Sequence, residues 1–100
     1  MSNTIFTNVS ENIISSEYKA NGLLQVDVSG VLDGADVLTY EKLDNGALAP
    51  LYCCSWRSSA GDTLLDGADG GQQFINNRII VFEVKNAGIG TNISLQYDVE

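Results

Sequence analysis

Apolar and polar residues alternate with a period of two through most of the ordered-looking stretches of the chain, the signature of half-buried strands. In GLLQVDVSG (22–30), Leu24, Val26 and Val28 share one face and Gln25, Asp27 and Ser29 the other. The stretch 35–43 alternates Leu38 and Tyr40 against Val37, Thr39 and Glu41, and its pattern predicts Leu38 and Tyr40 inward. A further strand is predicted from Ala47 to Trp56, with Pro50 confining it to a sheet edge or to its first half. RIIVFEVKN (78–86) is dense in β-branched and aromatic residues, and apolar side chains on both faces at its start mark it as central. TNISLQYDVE (91–100) closes the chain with Ile93, Leu95, Tyr97 and Val99 on one face, and the last two strands are expected to pair as an antiparallel hairpin.

Turn dipeptides punctuate these runs: Asn21-Gly22, Ser29-Gly30, Asp33-Gly34, Asn45-Gly46, Asp66-Gly67 and Asp69-Gly70. Turn signals about every 8–12 residues predict an all-β fold, a single antiparallel β-sandwich of Ig-like or jelly-roll type with about six to eight strands. Residues 57–72, rich in Ser, Gly and Asp, read as a long loop with at most one short strand, the kind of segment that often carries function. The sandwich domain spans 21–100. Residues 1–20 read as an N-terminal arm or an edge strand. No window carries a sustained helical stripe.

The 100 residues fit one domain, and 44% hydrophobic with 18% charged residues excludes a disordered chain. No apolar run approaches the roughly 20 residues a helical bilayer crossing needs. The start, MSNTIFTNVS, has neither the basic nor the apolar region of a secretory signal. Thirteen acidic residues against five basic ones give a net charge of -8, and Lys19, Lys42, Arg57, Arg78 and Lys85 are scattered in sequence, which argues against nucleic-acid binding. The chain has no histidine, so His-based triads, His–Cys dyads and the usual zinc and iron sites are ruled out. No pair of carboxylates is placed for glycoside cleavage, and the GADGG stretch lacks the ending of a phosphate loop. The expectation is a non-enzyme without cofactors.

Three candidate chemistries remain. Asp62, Asp66 and Asp69 could converge on calcium, although their spacing matches no known calcium loop and Asp-Gly pairs are common in turns for backbone reasons alone. The repeated LDGAD at 32–36 and 65–69 reads the same way, as two similar acidic turns. Cys53 and Cys54 are adjacent, and in a strand they would point to opposite faces, so the expectation is two free thiols, one of them a core filler. Trp56, with Tyr52 before it and Arg57 beside it, could form a glycan platform or a protein hot spot, which makes a carbohydrate-binding or host-attachment module using Trp56, Tyr52 and the 57–72 loop the alternative function. Asn8-Val9-Ser10 and Asn92-Ile93-Ser94 are formal glycosylation sequons.

The stretch SGVLDGADVLTYEKLDNGALAPL (29–51) resembles a recurring motif of small β-sandwich proteins in tailed-bacteriophage virions: a strand ending in Gly, an Asp-Gly-Ala turn, a β-rich strand and an Asp/Asn-Gly hairpin. The Gly-rich loop, the strand opened by Arg78 and the final alternating strand extend the likeness over 22–100. Tyr40, Glu41 and Lys42 depart from the usual aliphatic strand, and Trp56 comes late. The resemblance implies a non-catalytic virion component, assembled in the host cytoplasm: a capsid decoration (cement) protein, a head-fibre base or a tail accessory domain. Its partners would be the major capsid protein or another virion protein, and neighbouring copies of itself. Ile5, Phe6, Val9, Ile13 and Ile14, together with Tyr52, Trp56 and Arg57, are the expected contact residues.

Overall fold

The computed structural model describes the backbone of residues 3–57 and 64–100 and the side chains of residues 3–56 and 71–100. The chain forms β1 (Asn3–Val9), β2 (Ile13–Ile14), β3 (Tyr18–Val31), β4 (Asp36–Lys42), β5 (Leu48–Pro50), β6 (Trp56–Arg57), β7 (Leu64–Lys85) and β8 (Asn92–Val99). A 3-10 turn, η1 (Tyr52–Cys54), lies between β5 and β6. The ladders among the described residues are antiparallel. They join in one eight-stranded sheet of order β1-β8-β3-β7-β4-β5, with β2 added on β7 and β6 on β4. The all-β antiparallel class expected from the turn spacing is the one the chain adopts.

Length dictates the sheet's curvature. At about 3.3 Å per residue, the 22 residues of β7 would span roughly 73 Å if straight, while the molecule's longest extent is 36 Å. The strand must turn back, and the ladder shows where. Between Ala20↔Arg78 and Gly22↔Ile75 the β3–β7 register slips by one residue. Asn77 (φ 51°) and Gly22 (φ 127°) take positive φ at that slip. One extra residue in a strand bends it and sharpens its twist. A second slip, at Val28↔Asp69 to Gly30↔Leu65, puts two extra residues into β7.

The bend divides the sheet into two halves that share β3 and β7. Leu24, Val26 and Val28 of β3 and Ile93, Leu95 and Tyr97 of β8 enclose a common core with Val37 of β4 and Ile80, Phe82 and Val84 of β7. The rings of Phe82 and Tyr97 are 5.7 Å apart although β8 pairs with β3 and β1. Tyr18 leans on both rings, at 6.1 and 5.5 Å.

Four sequence expectations are corrected by these ladders. The last two strands do not form a hairpin: β8 pairs with β3, and 86–91 carries the chain from one half to the other. The β4 register is opposite to the predicted one. Val37 pairs with Val84 and Thr39 with Phe82, so both face the core with their partners. The Thr39 hydroxyl donates to the Cys54 carbonyl oxygen at 2.7 Å, which satisfies its burial. Leu38 and Tyr40 take the outer face, where Leu38 and Val81 are nonetheless buried. There the Tyr40 hydroxyl donates to Glu83 Oε1 at 2.9 Å, and Lys42 Nζ reaches Glu17 Oε2 at 2.7 Å across the intervening β7.

Third, the strand predicted from Ala47 to Trp56 is broken into β5 and β6 by η1. Ser55 Oγ and the carbonyl of Thr39 hold this segment to β4, through Thr39 N–H to Ser55 Oγ at 3.1 Å and Leu51 N–H to Thr39 O at 2.8 Å. Fourth, the described parts of the 57–72 loop, 57 and 64–72, are strand: β3 pairs with Asp69 and Gly70 and with Leu64 and Leu65, and Asp66-Gly67 falls in the slip between them. Gly71 is needed there, because a Cβ on it would overlap the Cys53 carbonyl where η1 packs across β7.

Phe82→Ala should lower stability by about 3–5 kcal/mol, the cost of emptying a fully buried aromatic site. Gly71→Ala should also destabilise, by pushing η1 off β7. Urea unfolding followed by circular dichroism checks both, and an unchanged midpoint for either would contradict the packing described.

Candidate functional site

Three regions carry the residues singled out in the sequence. The first is the end of the molecule where the β3–β4 turn meets the 86–91 loop. Asp33 (φ 46°) and Gly34 (φ 84°) both have positive φ, and Ala35 N–H closes the turn on Leu32 O at 3.0 Å. This is the geometry that Asp-Gly favours. The turn is bolted to the neighbouring loop. Gly90 N–H donates to Asp33 Oδ2, and Gly88 N–H donates to Thr91 Oγ1 at 2.8 Å. The buried Thr91 hydroxyl donates to Leu32 O at 2.7 Å. A Cβ on Gly88 would meet Asp33 Oδ2 at 2.7 Å, so only glycine lets the loop lie this close. Ala87 N–H donates to Asn12 Oδ1 at 2.8 Å, which ties in the segment just ahead of β2.

That end presents bare isoleucines. Ile89 is fully exposed at the tip of the fixed loop, and Ile13 and Ile14 are 41% and 55% exposed on the short β2. Of the other apolar residues expected to make contacts, Phe6 is buried in the protein's own core, and Ile5 and Val9 pack partly against it. Residues 3–9 form the sheet edge on β8. Ile89 was not singled out in the sequence because a lone apolar residue in a Gly-rich turn has no periodicity to betray it.

The second region surrounds η1. Tyr52 is 72% exposed, Cys53 is exposed and Cys54 is buried. The thiols are free and unlinked, one in the core and one outside, although a 3-10 turn rather than a strand separates them. Burial, reinforced by the neighbouring Cys53, raises the Cys54 thiol from 9.0 to about 11. Trp56 is half-buried and packs against the core. The Arg57 side chain lies outside the described residues, as do Asp62 and the side chains of Asp66 and Asp69. Among the described residues no group of three or more Cys, Asp or Glu is placed to hold a metal ion.

The third region reverses the impression of scattered cations. Lys19 and Lys42 both pair in register with Ile79, from β3 and β4, and with Arg78 they line one shallow depression of about 280 Å³. Arg78 Nη1 is held by Asp44 Oδ1 at 2.7 Å. The separation in sequence concealed what the bent sheet brings together.

The chain matches no family model, no curated protein and no solved structure.

At about pH 8 an alkylating reagent should block one thiol rapidly, Cys53, and reach Cys54 only on unfolding. Above pH 9 the unfolded chain ionises a thiol that the folded chain keeps neutral. Stability from this group is therefore full below about 9 and is lost as the pH climbs through about 11. Mass spectrometry after alkylation of the native protein, and an unfolding series over that pH window, check the two statements.

Proposed function

We propose that this chain is a non-catalytic structural component of a tailed-phage virion, of the capsid-decoration type, which binds a shell protein through its isoleucine end. The observation that carries the reading is Ile89, fully exposed on a loop fixed by Asp33, Thr91 and Asn12. A surface isoleucine on a flexible loop would lose conformational freedom on docking. One on a pinned loop is already ordered, so its burial at roughly 25 cal/mol per Å² is retained as affinity. Ile13 and Ile14 sit on the segment tied to that loop and, as neighbours in a strand, offer one exposed isoleucine on each face of β2.

The likeness of 29–51 to virion β-sandwich proteins supports the same reading, and so does the acidic surface. At a net charge of -8, free copies repel one another and resist clumping until they meet a partner. The partner that fits is a shell protein with an apolar recess, occupied at many symmetric positions. The Trp56 platform fits less well as the contact, since its indole is engaged with the protein's own core.

Ile89→Asp should leave the unfolding midpoint within about 0.5 kcal/mol of the parent and should abolish co-sedimentation with purified shells. The parent chain should decorate shells at a fixed ratio to the shell protein. A parent chain that does not sediment with shells, or an Ile89→Asp variant that decorates them fully, would overturn the proposal.

A further inference from the structure

The outward face of the other half of the sheet carries a different kind of surface. On β3 the residues opposite in parity to the core are Leu23, Gln25, Asp27 and Ser29. The partners of Leu23, Gln25 and Asp27 on β7 are Phe74, Gln72 and Gly70, and those of Gln25, Asp27 and Ser29 on β8 are Asp98, Gln96 and Ser94. Thr4 of β1 continues the row beside Gln96.

Two features of this face point to a ligand. One is a hydrogen-bonded row: Gln72 Nε2 donates to Gln25 Oε1 at 3.0 Å, and Gln25 Nε2 donates to Asp27 Oδ1 at 3.3 Å. Both amides are thereby oriented, and each primary amide has a second N–H to offer outward. The row ends in a depression of about 280 Å³ whose polar lining is Thr4, Thr7, Asp27, Ser29, Ser94 and Gln96, and which Phe6, Val28 and Leu95 also line. The other feature is Phe74, 68% exposed at the opposite end of the row. From the Leu23–Phe74 pair to Asp27 is four residues of β3, or roughly 13 Å.

We infer that this face binds a neutral oligosaccharide, with Phe74 stacking on one sugar ring and the Gln72–Gln25–Asp27 row and the polar groups of the depression reading the hydroxyls of the next. The chemistry selects the class. An aromatic face carries negative quadrupole density, which attracts the weakly positive C–H bonds of a pyranose. Amides, hydroxyls and a carboxylate exchange hydrogen bonds with sugar hydroxyls in both directions. None of the residues in the row or lining the depression is a cation, and Asp27 and Asp98 repel acids, so a phosphate or an acidic peptide is disfavoured. Three of the chain's cations gather instead at the separate depression beside Ile79. The 13 Å reach makes the ligand a short chain of sugars rather than a monosaccharide.

The test is calorimetric titration of the intact protein with maltohexaose, cellohexaose and chitohexaose. At least one should bind. Phe74→Ala should weaken that binding about tenfold and Phe74→Trp should preserve it. Asp27→Asn should also weaken it, while Tyr52→Ala should leave it unchanged. The exposed position of Phe74 means that its variants should unfold at the parent midpoint, so a loss of binding reports the face and not the fold. Absence of binding to all three sugars, or binding that survives both Phe74→Ala and Asp27→Asn, would overturn the inference. Shell co-sedimentation of Phe74→Ala separates it from the decoration reading, because Phe74 pairs with Leu23, at the far end of β3 from the loop that carries Ile89, and attachment should persist.

Discussion

The β3–β7 ladder is the constraint on which everything else in this chain depends. It runs from Tyr18↔Ile80 to Val31↔Leu64, and both of its strands belong to both halves of the sheet. A ladder of that length cannot lie flat inside a molecule 36 Å long. The slip at Asn21–Gly22 and Asn76–Asn77 lets it bend without breaking, and that bend puts Phe82 of one half against Tyr97 of the other. Without it, the alternating faces of β3 and β8 would have no partner layer to bury against.

The same bend explains which parts of the fold were legible from the residues. The alternation in 22–30 and 91–100 gave the inward faces of β3 and β8 directly, because one face of each is wet and the other dry. Val37 and Thr39 were misplaced because β4 has apolar side chains on both faces. The choice between them is made by its partners Val84 and Phe82, which no local pattern reveals. The Asp-Gly pairs at 66–70 and Asn21-Gly22 look like turns in the sequence because Gly and Asn favour positive φ. Asn21-Gly22 does mark a change of direction, but one inside a strand, where the partner strand bends with it. At Asp69-Gly70, pairing with Val28 and Asp27 of β3 overrides the local preference, while Asp66-Gly67 sits in the bulge of the second slip.

The candidate surfaces were less legible, for a related reason. Exposure of Phe74 and Ile89 depends on which neighbours the fold supplies, and a sequence shows only that the residues are apolar. Phe74 is followed by the buried Ile75, and either could have been the inward one. The gathering of Lys19, Lys42 and Arg78 around Ile79 needs three strands to be brought side by side. By contrast, the two thiols were anticipated on opposite sides of the chain wall. Adjacent residues in any extended or 3-10 path diverge, so that expectation did not require Cys53 and Cys54 to lie in a strand.

These surfaces also share a physical economy. Every buried polar side-chain atom among the described residues has a hydrogen-bond partner, and several of those bonds fix loops rather than strands. Thr91 and Asp33 hold the loop that carries Ile89, and Thr39 and Ser55 hold η1. A domain of 100 residues has little stability to spare, yet it invests buried hydroxyls in holding its connections still. Such bonds contribute about 1 kcal/mol each to the fold at best. Their larger effect is on association, since a loop that is already ordered keeps the conformational entropy it would otherwise lose when it meets a partner. Small size and fixed loops therefore belong together: a small protein can recognise a partner through shallow surfaces, provided that what it displays there does not move.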